Sequence, residues 1–196
     1  MKSIILASQS PRRTEILSTL GIKHRIMVAD IDETPILGES PSDLVQRLAE
    51  GKAVKVASSF EEGYVIGSDT IVVFRGEILG KPVDDEDAFR MLRSMSGHEH
   101  QVMTGVSVVD AASGKVRTDV GLTKVRMKAV SDGTIRAYIA TGEPMDKAGA
   151  YGIQGLGSAI VDTIQGEYYT VMGLSVNALL RVFDTFDLGL FRDLRA

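Results

Sequence analysis

Hydrophobic and polar positions along the chain switch repeatedly between two periods. Ile4-Ile5-Leu6-Ala7 is a short apolar run of the buried-strand type. Behind it Ile16, Leu17 and Leu20 recur at helical spacing, and Gly21 ends that pattern. His24 to Val28 reads as a strand, and Ser40-Pro41 opens a second helix. Leu44, Leu48, Val54 and Val56 mark the buried side of that helix, and Gly51 weakens its middle. Tyr64 to Phe74 is the strongest strand signal, and Arg75-Gly76 turns it into Glu77 to Leu79. A helix over 84–95 is stopped by Gly97, and strand-like segments over 98–110 and 115–127 are joined by Ser113-Gly114. Ser131 caps a helix to Ala140. Residues 159–164 form a strand, and an amphipathic helix over 173–186 closes the chain, with the last residues fraying. The alternation is that of an α/β protein, and 196 residues suit one domain over 1–196 with room for two lobes.

The places where this pattern breaks are the places where chemistry collects. Ser8-Gln9-Ser10-Pro11-Arg12-Arg13 joins the first strand to the first helix. Ser10 suits the N-cap and Pro11 the first helical position, but two arginines in the first turn oppose the helix dipole by about 0.3–1 kcal/mol each. Hydroxyls, helix-start N–H groups and two guanidinium forks together suit an anion, and phosphate best of all, the alternative being a solvated helix start whose arginines pair with acids elsewhere. By the same dipole argument, Arg13→Ala is expected to leave the free protein as stable or slightly more so. Asp69 interrupts the long apolar strand as Gly67-Ser68-Asp69-Thr70. An unpaired acid there is costly to bury, so it faces a metal, a base or a cleft, the alternative being an aspartate satisfied by local N–H groups at a bulge. Gly80-Lys81-Pro82 holds Lys81 extended, as a second phosphate contact.

Other polar features carry less. Asp30, Asp32 and Glu33 supply carboxylates of the kind a divalent cation takes, although a solvated turn suits Asp30 and Asp32 better. Lys52 and Lys55 on the second helix have the usual reading of surface charge. His98 and His100 share a strand face but lack a further nitrogen or sulfur ligand for a metal. The glycine-rich stretch over 142–157 reads as a long binding loop, in which Tyr151 and Gln154 offer a ring and a two-sided amide suited to a base edge.

Composition narrows the partners. The formal net charge of −4 argues against a general nucleic-acid binder and makes the two arginines a local exception suited to a small anion. The absence of cysteine removes disulfides, thiol nucleophiles and cysteine-based zinc sites. Lys2 and the apolar run after it are too short for a signal peptide or a membrane span, and no later stretch approaches about 18 apolar residues. The expected location is cytoplasmic, with no membrane partner.

Taken in order, Ser8-x-Ser10-Pro11-Arg12-Arg13, Gly67-Ser68-Asp69-Thr70, Gly80-Lys81-Pro82 and Ser96-Gly97-x-x-His100-x-Val102-x-Thr104-Gly105 resemble the Maf family. So does Glu143-Pro144-x-Asp146-Lys147-Ala148-Gly149-Ala150-Tyr151-Gly152-Ile153-Gln154-Gly155. The resemblance implies a nucleoside triphosphate pyrophosphatase that releases a monophosphate and pyrophosphate with a divalent cation, Mg2+ or Mn2+. It also implies a mixed twisted sheet with flanking helices and a cleft between two lobes, as in inosine triphosphate pyrophosphatases. It makes Asp69 the proton acceptor and Arg12, Thr70 and Gln154 positions of substrate choice. Glu33, Lys52 and Lys81 then line the cleft with Ser8 and Arg13. The Ser-Pro-Arg-Arg loop and Tyr151-Gly152-Ile153-Gln154-Gly155 are similar to the branch acting on dTTP and UTP, and the 7-methyl-GTP branch differs in both places. Thr170 and Ser175 depart from the family's usual Asn and Pro.

On this resemblance the partner is a nucleoside triphosphate, and a homodimer stays an open option. Arg12, Arg13 and Lys81 supply cations, while a metal held by Glu33 or Asp69 bridges phosphate oxygens. Asp69 acts either as that ligand or as the base for water. An alternative reading, also from the family, is a nucleotide-binding regulator of septum formation with slow turnover.

Overall fold

The computed structural model describes residues 3–191, so the expectations attached to Lys2 and to fraying beyond residue 191 fall outside it. Its strands are β1 (Ile4–Leu6), β2 (Arg25–Ile26), β3 (Tyr64–Phe74), β4 (Glu77–Leu79), β5 (Glu99–Asp110), β6 (Val116–Met127) and β7 (Val161–Gln165). The helices are α1 (Pro11–Thr19), α2 (Pro41–Ala57), α3 (Asp85–Met95), α4 (Asp132–Ile139), α5 (Tyr168–Met172) and α6 (Val176–Asp184). Among the described residues the strands form one mixed sheet in the order β2-β1-β3-β5-β6-β7, with β4 paired to β3 outside that path. β1 is parallel to both β2 and β3, whereas β3–β4 and β6–β7 are antiparallel. The expected mixed sheet with helices therefore forms. No described helix is long and apolar enough to cross a membrane.

The chain divides into two compact units, each assembled from more than one stretch of sequence. The first comprises residues 1–69, 104–121 and 173–196, and the second residues 70–103 and 122–172. In the first unit Ile5, Ala7, Ala53, Val56, Val65 and Val109 build a core from β1, α2, β3 and β5. In the second, a larger core collects Phe74, Leu92, Met95, Val125, Ile135 and Tyr151 from β3, α3, β6, α4 and the segment after α4.

The β1–α1–β2 and β2–α2–β3 crossovers make the first unit an open parallel arrangement in which β1 has β2 on one side and β3 on the other. The chain leaves β1 toward one neighbour and returns on the other side, which is the switch point where open α/β sheets bind ligands at strand carboxyl ends. Pairing of β1 with β3 ends at Leu6↔Ile66, with one further bond from the Ala7 N–H to the Ile66 carbonyl. β3 runs on beyond its last pair with β1 as Gly67-Ser68-Asp69. There α2 comes very close to the sheet. A Cβ on Gly67 would lie 2.1 Å from the Ala49 carbonyl oxygen, and one on Gly105 would lie 2.2 Å from that of Val45. Only residues without a Cβ let the helix backbone sit there.

The differences from the sequence expectations are local. β2 is a two-residue, exposed edge strand, shorter than the run from His24 to Val28. On α2, Val54 is 45% exposed and Lys52 is buried, the reverse of the expected faces. The long stretch over 142–157 is folded into 3-10 turns at Glu143–Asp146, Ala148–Ala150 and Gly155–Ile160, with Pro144, Gly149, Ala150, Tyr151 and Gly157 buried. A short helix, α5, precedes the closing helix.

Candidate active site

The end of β1 delivers Ser8, which is buried, into a knot of hydrogen bonds. Its Oγ accepts from the Ser10 N–H at 3.1 Å and from an Arg13 terminal nitrogen at 3.0 Å. Ser10 does occupy the N-cap position with Pro11 next, but its side chain makes no capping bond, so Ser8 organises this loop. Arg13 Nε donates to the Gly173 carbonyl at 2.7 Å, and Ser68 Oγ donates to the same oxygen at 3.1 Å. Removal from water lowers the Arg13 pKa from its ordinary value. Asp69 opposes that shift, Arg12 adds to it and Glu33 opposes it. The guanidinium stays cationic and fixed in place. The expectation that the free protein does not need Arg13 is therefore revised, because Arg13 ties α1 to the chain at Gly173.

Lys52 reaches across from α2. Its Nζ lies 2.7 Å from Asp69 Oδ1 and 2.8 Å from Glu33 Oε1. Lys52 and Asp69 are each 9% exposed, whereas Glu33 is exposed on the loop before α2. A lysine is rarely buried without such a partner. Leu44, Leu48, Lys52 and Val56 recur every four residues, so the spacing itself placed Lys52 on the inner face. Gly67 brings the Ala49–Ala53 turn against β3, and Asp69 follows two residues later. The first unit thus brings together Ser8, Arg13, Glu33, Lys52 and Asp69, with Arg12 beside Arg13 on α1.

Other expected site residues stand elsewhere in the chain. Thr70, half-buried, follows Asp69 on β3 and opens the second unit. Lys81 is exposed in the irregular stretch after β4, next to buried Pro82. Gln154, half-buried, is the N-cap of the 3-10 turn Gly155–Ile160. The histidines do not form a metal pair. His98 Nδ1 pairs with the Ser96 carbonyl at 2.9 Å, and buried His100 pairs through Nε2 with the Tyr151 hydroxyl at 2.7 Å. Asp32 accepts from the Thr34 N–H at 2.9 Å, as in a local turn.

The donor set fits a divalent cation only in part. No cluster of three or more His, Cys, Asp or Glu side chains able to hold a metal occurs among the described residues. Asp69 and Glu33, however, place carboxylate oxygens on one ammonium, so both already converge on a single cation. Two carboxylates completed by substrate phosphates and water suit Mg2+, which seldom takes an all-protein cage.

A family model described as Maf-like protein matches residues 3–186. The chain belongs to the Maf family. Among Maf relatives, a dTTP/UTP pyrophosphatase of Pelotomaculum thermopropionicum is 47% identical over 186 residues, covering 95% of this chain and 97% of that protein. One of Geobacter sulfurreducens is 50% identical over 171 residues, covering 87% of this chain and 90% of its own. The solved structure of a HAM1 protein from Coxiella burnetii covers 82% of this chain and 81% of that one at 13% identity and a TM-score of 0.49, too distant to bear on fold or chemistry. The two departures from the usual Maf pattern are accommodated locally. Ser175 is fully buried and caps α6 by accepting from the Ala178 N–H at 3.2 Å, and Thr170 donates to Glu167 Oε2 at 2.8 Å.

Proposed function

We propose that this Maf-family protein hydrolyses dTTP and UTP between the α- and β-phosphates, giving the nucleoside monophosphate and pyrophosphate. The observation that carries the reading is the Asp69 carboxylate, held on Lys52 beside Glu33 and Arg13 where β1 ends and β3 runs on. Relatives of 47% and 50% identity that bear the name dTTP/UTP pyrophosphatase support the substrate.

Asp69 takes a proton from water as the water oxygen attacks the α-phosphorus. The bond from the α-phosphorus to the bridging oxygen breaks, and that oxygen leaves with pyrophosphate. Lys52 fixes the carboxylate through a charge-assisted hydrogen bond and keeps it oriented. Arg12, Arg13 and Lys81 offset the charge of about −4 on the triphosphate, and Ser8 holds the Arg13 fork. With Asp69 as the base, Glu33 would hold a Mg2+ or Mn2+ ion, which would supply further neutralisation of the phosphate oxygens.

Gln154 reads the base, and Thr70 and Arg12 help to choose the substrate. A side-chain amide offers a donor and an acceptor to the O4/N3–H edge shared by thymine and uracil, and cytosine presents a different pattern there. Buried polar groups left unpaired penalise a mismatch, whereas the thymine methyl adds only apolar contact. The two favoured substrates should thus agree within about tenfold. The test is kcat/KM for pyrophosphate release from dTTP, UTP, CTP, GTP and 7-methyl-GTP by the wild type and by Gln154→Glu. The reading requires dTTP and UTP to lead, and the variant to change the ranking. A lead by 7-methyl-GTP overturns the substrate assignment. Tight binding without pyrophosphate release favours a nucleotide-binding regulator instead.

A further inference from the structure

The second unit holds a polar frame that the proposed chemistry does not use. Tyr138 on α4 is 6% exposed, and its hydroxyl donates to Glu143 Oε1 at 2.9 Å. The same hydroxyl oxygen accepts from the Gly152 N–H at 3.2 Å. The Glu143 carboxylate then takes two successive backbone N–H groups, Leu156 on Oε2 at 2.9 Å and Gly157 on Oε1 at 2.8 Å. One phenol–carboxylate pair therefore ties down both ends of the segment over 152–157, and Ile153, Gln154 and Gly155 span the space between. Tyr151, just upstream, is buried, with its hydroxyl on His100 and its ring edge-on to the imidazole at 5.3 Å.

The frame is tight. A Cβ on Gly157 would lie 2.3 Å from the Gly152 carbonyl and 2.5 Å from the Tyr138 hydroxyl, so nothing larger than glycine fits. A second support holds Glu143 itself, because Lys147 Nζ donates to its backbone carbonyl at 2.6 Å. Desolvation pushes the Glu143 pKa up, but the Gly157, Leu156 and Tyr138 bonds outweigh it and leave the carboxyl below its ordinary value. The carboxylate is the acceptor for the start of the 3-10 turn whose N-cap is Gln154.

We infer that Glu143 and Tyr138 are positioning residues that fix the segment over 152–157, and that base preference depends on them through the setting of Gln154. The inference rests on the reading of Gln154 as the residue that meets the base. Neither Glu143 nor Tyr138 is assigned a contact with the nucleotide. Their removal should loosen selection more than turnover.

Glu143→Gln keeps the shape but replaces one acceptor oxygen with an NH2 group facing backbone N–H donors. Tyr138→Phe removes the hydroxyl alone and serves where Glu143→Gln does not fold. Two measurements apply to the full chain: amide hydrogen exchange of the nucleotide-free protein, and kcat and KM for dTTP and CTP. Peptides covering 151–160 should exchange about tenfold faster in Glu143→Gln, with β3 unchanged. The dTTP-to-CTP ratio of kcat/KM should fall by about fivefold or more, mostly through KM, with kcat for dTTP within about threefold of wild type. Adding Glu143→Gln to Gln154→Ala should lower the ratio no further. Unchanged exchange in the folded variant overturns the inference, and so does faster exchange with the ratio intact. If Gln154→Ala leaves the ratio unchanged while Glu143→Gln lowers it, the frame stands and the reading of Gln154 fails. A wild type that releases no pyrophosphate ends the proposed function and the claim on base choice with it.

Discussion

Lowering the pH should destabilise the protein through His100. Its side chain is buried on β5 with the Tyr151 hydroxyl on Nε2, and Nδ1 has no hydrogen-bond partner among the described residues. Desolvation lowers its pKa from 6.5 to about 4. Between those values the unfolded chain binds a proton that the folded chain refuses, so stability rises with pH. The contribution is complete above the unfolded value of 6.5 and is lost as pH falls toward about 4. The full difference of about 2.5 pH units corresponds to roughly 3.4 kcal/mol, and moving from pH 7.5 to pH 5 draws on about 2 kcal/mol of it. Because pH 5 lies above the folded value, this figure depends mainly on the unfolded one. The assay is urea unfolding at pH 7.5, 6 and 5 for the wild type and for His100→Gln, which cannot titrate. The lowered pKa of Glu143 acts in the same direction but is common to both proteins, so the difference in slope isolates His100. The wild type should lose about 2 kcal/mol more than the variant over that interval. Equal losses would refute the claim that His100 is held neutral.

Further outcomes follow from the first unit. Arg13→Ala removes charged hydrogen bonds to Gly173 and Ser8, so the ligand-free protein should lose about 2–4 kcal/mol and melt about 5–10 °C lower. An unchanged or higher melting temperature would restore the expectation from the helix dipole that the free protein does not need Arg13. Lys52→Ala strands the Asp69 carboxylate and should cost about 3–5 kcal/mol in denaturant unfolding as well as turnover, and wild-type stability would contradict the pairing. Glu33→Gln should raise the Mg2+ concentration for half-maximal activity while Glu33, being exposed, leaves the unfolding midpoint nearly unchanged. An unmoved Mg2+ requirement would remove Glu33 from the metal. Gly67→Ala should cost more than about 3 kcal/mol by forcing α2 off β3, as read by chemical unfolding.

Much of the fold was legible because its signals are local. The Tyr64–Phe74 run, the helix ending at Met95, the Ser131 cap and the Arg75-Gly76 turn, where both residues have positive φ, all lie where pattern and turn chemistry put them. Asp69 was legible for an energetic reason, since an acid inside an apolar strand demands a partner. Its partner was harder to see. Lys52 was assigned to the surface by residue type, although its four-residue spacing from Leu48 and Val56 placed it inside. The closeness of α2 that makes the pair depends on Gly67 and Gly105, which meet α2 only after the crossover closes. The Gly173 carbonyl on Arg13 is 160 residues away in sequence, and no local pattern carries such a contact. The stretch over 142–157 looked like a long loop because its order comes from bonds to Glu143 and Tyr138 and not from periodicity.

The central claim is that the Asp69 cluster performs nucleotide hydrolysis, and Asp69→Asn tests it most directly. The substitution keeps the volume of the side chain and removes the charge that Lys52 holds and that, on the proposed mechanism, accepts the proton from water. Pyrophosphate release from dTTP and UTP would be followed at saturating nucleotide with Mg2+, alongside circular dichroism and urea unfolding to establish that the variant is folded. The account predicts a folded protein whose kcat has dropped by at least about 10²-fold on both substrates. A folded Asp69→Asn protein that releases pyrophosphate at close to the wild-type rate would contradict it.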